Sequence, residues 1–157
     1  MTEDKHVYNT IDFDHLDWHD CKIHGLAFDE ATFKFYLDID FIIEWFNPLT
    51  EEEGYKFIIA PATLIFNNVW NLEFDIDTNL SLDIDSIVMQ NPHPPKNKDF
   101  LSEIQEYDWI LILQQGEITF NSIGFELYIR KSPEIRQEQS FGWNERGGIS
   151  LKTNIQN

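Results

Sequence analysis

The feature that most constrains this chain is an alternation of apolar and polar residues between positions 33 and 45. Period-two spacing sends successive side chains to opposite faces of a strand, so this stretch predicts one long β-strand with a buried and an open face. The apolar residues of one parity are Phe33, Phe35, Leu37, Ile39, Phe41, Ile43 and Trp45.

A second alternating stretch runs from residue 58 to residue 76 and is interrupted at Asn68. It predicts two strands with a kink near Asn67 and Asn68 or at Asn71, and Pro61 indicates an edge position or a bulge. Shorter patterns predict further strands near residues 22–28, 80–89, 109–113, 118–120 and 123–129.

These patterns predict a mainly β fold, an antiparallel sandwich or curved half-barrel of about eight strands. Most connections are too short for the crossover that parallel strands need. One short helix is expected after Asp99 as N-cap, because Phe100, Ile104 and Tyr107 recur at helical spacing. We expect residues 1–157 to form a single domain, with residues 1–14 as a short edge strand or an extended arm and residues 134–157 as a loosely held tail.

The charge balance is strongly acidic, with 28 Asp and Glu against 11 Lys and Arg and a net charge of −17. The negative electrostatic field of such a chain argues against nucleic acid as a partner and favours a basic partner. Solubility alone is also a sufficient reason for the acidic composition. The single cysteine excludes an internal disulfide, and no signal peptide or membrane-spanning run is visible. We therefore expect a cytoplasmic protein that does not bind membranes.

Residues 15–25, HLDWHDCKIHG, concentrate side chains with metal-ligand chemistry. His15, His19, Cys21 and His24 are ligand types for zinc and other transition metals, but their spacing fits no standard zinc signature. We therefore predict no bound metal or cofactor. A small metal- or ligand-binding domain that uses this region remains the alternative hypothesis.

The structural interpretation of the same stretch assigns Trp18 to the margin of the core. Asp20 would then hydrogen-bond the His19 imidazole or nearby backbone amides and fix the start of the first clear strand. Cys21 beside His19 or His24 is too weak a pattern to predict a thiol nucleophile. No phosphate-binding glycine loop, nucleophile elbow or HExxH motif occurs, so we do not expect an enzyme.

The tripeptide Asp-Ile-Asp occurs three times, at residues 38–40, 75–77 and 83–85. In a half-buried strand both acids of each pair point outward, a pattern that needs no ligand. Calcium also binds carboxylates, but the spacing of a calcium loop is missing. We expect contact with a partner at the tripeptides and at an acidic loop, namely at Asp38, Asp40, Glu51, Glu52, Glu53, Asp75, Asp77, Asp83 and Asp85.

Three short runs carry a resemblance to a group of proteins: WHDCKI at residues 18–23, FNNVWNL at 66–72 and GEITF at 116–120. With these landmarks, residues 15–130 resemble small bacterial β-rich domains that begin with a W-H-D or L-H-D motif. Some of those domains are immunity proteins of polymorphic toxin systems. The resemblance implies a binding protein that neutralises a partner toxin by occluding it.

The leading functional hypothesis is therefore an acidic protein-binding module that neutralises a basic toxin. The net charge agrees with it, because nucleases that bind phosphate backbones tend to be basic and would be attracted to a negative surface. Homo-oligomerisation through an exposed strand edge, or through the apolar strand around Trp45, is a third hypothesis.

Overall fold

The computed structural model describes residues 5–79, 81–97 and 104–155. Within them the chain is mainly β and antiparallel, as predicted, with ten strands and one short α-helix, α1 (Trp143–Arg146). The strands are β1 (Val7–Asn9), β2 (Lys22–Asp29), β3 (Lys34–Phe46), β4 (Lys56–Asn67), β5 (Trp70–Ile76), β6 (Leu82–His93), β7 (Glu106–Leu113), β8 (Gly116–Ser122), β9 (Gly124–Ile129) and β10 (Glu134–Arg136).

The strands lie in the order β1-β9-β4-β3-β2-β6-β7-β8-β5, and β10 pairs with β4. The sheet has two parts, because β2 and β6 pair only through Lys22 with Asp83 and Ile23 with Leu82. We call the strands from β1 to β2, together with β10, the first half-sheet. Strands β6, β7, β8 and β5 form the second half-sheet.

The core lies between the two half-sheets, which pack face to face. Phe66 of β4 contacts Trp109 of β7 and Phe120 of β8, with ring centroids 5.1 and 4.7 Å apart. Phe35 of β3 contacts Phe120 at 5.6 Å. Aromatic pairs at these separations stabilise a core beyond the area they bury, so the alternation in β3 and β4 does specify the buried side of the first half-sheet.

The alternation predicted for β3 holds only as far as Phe41. A bulge at Ile43 interrupts the pairing with β4, after which Trp45 pairs with Phe57 while Ile42 pairs with Ile59. Phe57 and Ile59 share a parity, so Trp45 lies on the same face as Ile42 and not on the face of Phe41. The prediction of one face for all seven apolar residues is wrong at this end, because a bulge inserts one unpaired residue.

Strand β4 is central, and Pro61 lies neither at a sheet edge nor in a bulge. On one side β10 pairs with residues 57–59 and β9 with residues 62–67, so Pro61 falls between the two partners. Proline has no N–H to donate, but at this position no hydrogen bond to β9 or β10 is lost. The kink predicted after β4 is confirmed, because Asn68 and Asn71 have positive φ angles of 52° and 55°.

The helix predicted before β7 is wrong, and of the two alternatives for residues 1–14 the extended arm is wrong. The helix expected over residues 100–107 does not reach Tyr107, which lies in β7, while Phe100 falls outside the described residues. Over its described residues the N-terminal part belongs to the fold, because β1 is an edge strand that pairs with β9 and a 3₁₀ helix at Thr10–His15 follows it. Phe13 of this helix contacts Trp109 in the core, with ring centroids 5.7 Å apart.

The tail expected at residues 134–157 is bound to the fold over its described part, residues 134–155. It begins with β10, and residues 137–155, which we call the C-terminal segment, bond to the face of the first half-sheet that lies away from the core. Thr63 of β4 donates to the Lys152 carbonyl at 2.6 Å, and the Ser150 amide donates to Asp38 of β3 at 2.8 Å. Few apolar residues are needed, because hydrogen bonds and ion pairs hold this segment.

Candidate functional site

The residues with metal-ligand chemistry in HLDWHDCKIHG do not converge. His15 and His19 are exposed, whereas Cys21 is fully buried and its Sγ accepts the Ile42 amide at 3.5 Å. His24 lies elsewhere, with Nε2 2.6 Å from Asp40 Oδ2. In residues 5–79, 81–97 and 104–155, no three His, Cys, Asp or Glu side chains are arranged to hold a metal ion.

Burial also disfavours Cys21 as a nucleophile, since it raises the pKa of the thiol to about 12. The neighbouring backbone has a structural role instead. The Asp20 amide donates to the Ile84 carbonyl at 2.8 Å, and the Ile84 amide donates to the Cys21 carbonyl at 2.9 Å. Trp18 is buried, and Asp20 Oδ2 lies 3.2 Å from His19 Nδ1. This stretch therefore connects the two half-sheets.

Asp38 and Asp40 of β3 are buried beneath the C-terminal segment, with 0% of each residue exposed. The Arg146 guanidinium binds Asp38 through two bonds, Nη1 to Oδ2 at 2.6 Å and Nη2 to Oδ1 at 2.7 Å. Arg130 Nη1 also lies 2.9 Å from Asp38 Oδ1. Although burial alone would raise the pKa of Asp38, the bonds from Arg146 and Ser150 and the charge of Arg130 lower it.

Asp40 completes this buried ionic cluster. Its Oδ2 accepts the Phe141 amide at 2.8 Å and lies beside His24, while its Oδ1 accepts Arg146 Nε at 3.2 Å. The expectation that Asp38 and Asp40 contact a partner is therefore wrong. They do point away from the core, as the alternation predicted, but the C-terminal segment covers that face and its Arg146 supplies the compensating charge.

The other predicted contact residues have more open positions. Glu51, Glu52 and Glu53 are exposed in the loop between β3 and β4, and Asp75, Asp77 and Asp85 are exposed as well. Asp83 is partly buried and accepts hydrogen bonds from Ser81 Oγ at 2.7 Å and Gln115 Nε2 at 3.1 Å.

Four outward-facing acids lie on the second half-sheet, on the face away from the core. The pairing of neighbouring strands aligns one row of side chains across the half-sheet: Asp75, Glu117, Ile112 and Ser86. The row beside it contains Glu73, Thr119, Ile110 and Val88. The next row contains Asp108. We call this surface the acidic face, and it is defined by Glu73, Asp75, Asp108 and Glu117 together with Val88, Ile110 and Ile112.

The strands that form the acidic face supply no Lys or Arg to balance these carboxylates. Strands β5, β6, β7 and β8 contain seven acids and no Lys or Arg. Asp75 pairs directly with Glu117, and like charges at opposed positions of neighbouring strands destabilise a sheet. A cation bound at this surface would relieve that repulsion. The seven acids are Glu73, Asp75, Asp83, Asp85, Glu106, Asp108 and Glu117.

One end of the acidic face carries a polar cluster around His93. His93 Nδ1 donates to the Pro94 carbonyl at 3.1 Å, and Nε2 lies 3.1 Å from Asp108 Oδ1, contacts that raise the pKa of His93. Glu106 is 0% exposed, and neither of its carboxyl oxygens has a hydrogen-bond partner among the described residues. Burial raises the pKa of Glu106, against the opposite effect of the nearby His93.

Several residues of the acidic face were not identified from the sequence. Glu73, Glu117 and Asp108 do not belong to an Asp-Ile-Asp tripeptide, and the sequence places Ile110 and Ile112 only in a strand near residues 109–113. The absence of Lys and Arg from four neighbouring strands is visible in the sequence and is the signal that could have pointed to this surface.

The chain was compared with protein families, curated proteins and solved structures. No protein-family model, curated protein or solved structure matches this chain. Within the described part of the chain, no helix is both long enough and apolar enough to cross a bilayer.

Proposed function

We propose that this protein is an acidic protein-binding module of the cytoplasm that binds a basic protein partner through the acidic face. The single observation that supports the proposal is the charge of the acidic face, where four acids of β5, β7 and β8 point outward while β5 to β8 contain no Lys or Arg. Such a surface attracts a basic protein over long range and disfavours acidic ones.

The apolar residues of the acidic face support a protein partner over dissolved cations. Val88, Ile110 and Ile112 are partly exposed on β6 and β7, beside the carboxylates of β5 and β8. Protein interfaces combine apolar area at the centre with polar groups at the rim, and this arrangement has both.

A basic toxin is the partner that this surface fits best. A nuclease that binds phosphate backbones presents Lys and Arg around its active site. An acidic surface docked there would occlude the nucleic acid and act as an immunity protein. The proposal assigns this protein a binding role and no catalytic step.

The test is a titration, by calorimetry at low salt, with the product of a toxin gene adjacent to the gene for this protein. We expect a complex whose affinity falls as salt is added, because screening weakens attraction between exposed charges. A titration without a complex at low salt would contradict the proposal.

A further inference from the structure

Strand β5 ends the second half-sheet, and its outer edge has no strand partner among the described residues, so we call it the free edge. It pairs with β8 alone among the described strands. Glu73 and Asp75 are exposed, and Phe74 is 48% exposed. A free edge is a template on which an extended segment of another chain can add as a strand.

The register identifies which backbone groups face the free edge. The Asp77 amide donates to the Gln115 carbonyl at 3.0 Å, and Asp75 pairs with Glu117 in the same register. Hydrogen-bonded pairs alternate along an antiparallel ladder, so Glu73, Asp75 and Asp77 bond toward β8. The N–H and C=O groups of Phe74 and Ile76 therefore point toward the free edge.

The side chains of the same segment alternate in chemistry. Glu73 and Asp75 lie on the acidic face, in rows with Thr119 and Glu117. Phe74 and Ile76 lie on the opposite face, where Phe74 contacts Phe35 with ring centroids 5.9 Å apart. A strand added beside β5 would meet carboxylates on one face and apolar groups on the other.

A second copy of this chain does not fit the edge. Antiparallel pairing centred on Phe74 would place Glu73 opposite Asp75, and pairing centred on Asp75 would place Glu73 opposite Asp77. Like charges at opposed positions destabilise a strand pair, and each copy carries a net charge of −17.

We propose that β5 binds an extended segment of the partner in which basic and apolar residues alternate, added as an antiparallel strand. The proposal rests on the proposed function, because the partner is the same basic protein. Its basic residues would lie beside Glu73 and Asp75, and its apolar residues would pair with Phe74 and Ile76. The acids that exclude a second copy thus select a cationic strand.

The probe is a seven-residue peptide that alternates lysine with valine, titrated into the full-length protein. NMR hydrogen exchange should show slower exchange of the Phe74 and Ile76 amides, with smaller changes at Glu73 and Asp75. A peptide that alternates glutamate with valine is the charge control and should not bind. Binding without protection of the Phe74 and Ile76 amides would overturn the edge proposal.

Backbone methylation of the peptide tests the predicted register. Residues that pair across hydrogen bonds share a face, so the valine amides of the peptide should point toward β5 and the lysine amides away from it. N-methylation of the valines should abolish binding, and N-methylation of the lysines should leave it nearly unchanged. Equal binding of both methylated peptides would contradict strand addition.

A variant pair tests the protein side of the contact. Phe74→Pro removes an N–H that faces outward, whereas Phe74→Ala removes the ring alone, and proline is tolerated at such edge positions. Phe74→Pro should bind the peptide about fivefold more weakly than Phe74→Ala. Equal affinities of two folded variants would contradict the proposal, and the methylated peptides decide the question if Phe74→Pro does not fold.

The outcomes separate this inference from the proposed function. A toxin that binds without protecting the Phe74 and Ile76 amides overturns the edge proposal and leaves the acidic face as the binding surface. Failure of both the toxin and the peptide to bind overturns both proposals.

Discussion

Arg146 forms a two-bond ion pair with Asp38, a residue 108 positions earlier in the chain, with N–O distances of 2.6 and 2.7 Å. Both side chains are fully buried. The pair attaches the C-terminal segment to the centre of the first half-sheet. Removal of one partner leaves a buried charge with fewer compensating contacts, which is more costly than loss of an exposed ion pair.

Arg146→Met should therefore destabilise the protein strongly, by about 3 kcal/mol in urea unfolding. Lys131→Met is the matched control, because Lys131 is exposed, and it should change stability by less than about 0.5 kcal/mol. The double variant with Asp38→Leu should lose less stability than the sum of the two single variants. Additive losses would show that the ion pair does not couple the segment to β3.

Cys21 should be unreactive in the folded protein. Its thiol is fully buried and its pKa is raised to about 12, so neither access nor thiolate is available at neutral pH. We expect labelling by a thiol reagent to require unfolding and to accelerate with urea in parallel with the loss of folded protein. Rapid labelling without denaturant would place Cys21 at an accessible site and contradict its description as a buried, unreactive thiol.

Stability should depend on pH through Glu106. Burial raises its pKa in the folded chain above the value of 4.5 for an unperturbed carboxyl, so the folded state binds the proton more tightly than the unfolded state. The stability from this group is fully present below pH 4.5 and is lost as the pH rises through the folded pKa. Each unit of pKa difference corresponds to about 1.4 kcal/mol.

The measurement is urea unfolding of Glu106→Gln and of the unsubstituted protein at several pH values. Glutamine keeps the shape of a neutral carboxyl, so the variant should gain stability relative to the unsubstituted protein as the pH rises above 4.5. Glu30→Gln, at an exposed position between β2 and β3, is the control and should show a much smaller change over the same range. A constant difference for Glu106→Gln across the range would contradict the assigned pKa direction.

Gly116 permits the close approach of β8 to β5. Its φ angle is +144°, and a Cβ added there would collide with the Asp75 carbonyl oxygen. Gly116→Ala should cost about 1–3 kcal/mol in urea unfolding and should weaken protection of the Asp77 amide in hydrogen exchange. Gly54→Ala is the control, since a Cβ there meets no atom within 4 Å. Equal effects of the two substitutions would contradict the steric argument.

The alternation of apolar residues predicts which face of a strand points into the core. It predicts less well what covers the opposite face. It places Phe35 and Phe66 in the core correctly, because period two follows directly from strand geometry. It cannot show that Asp38 is covered, since the covering Arg146 comes from a distant segment with few apolar residues. The bulge at Ile43 has no composition signal either, so the reversal of Trp45 was not predictable from spacing alone.

The functional surface could be predicted only in part. Asp75 was identified from its tripeptide, but Glu117 was not, because their pairing depends on which strands are neighbours in the sheet. Strand order is a long-range property that local sequence patterns do not specify. The charge of individual strands can be read from the sequence, whereas the face that they form together cannot.

The most direct test of the acidic face compares two triple variants that remove the same charge. Glu73→Gln, Asp75→Asn and Glu117→Gln neutralise the acidic face, and a control triple neutralises exposed acids elsewhere, at Asp14, Glu30 and Glu44. Calorimetric titration with the toxin encoded next to this protein should give at least about tenfold weaker binding for the first triple and little change for the second. Equal loss of affinity from both triples would show that net charge, and not the acidic face, accounts for binding, and would contradict the proposal.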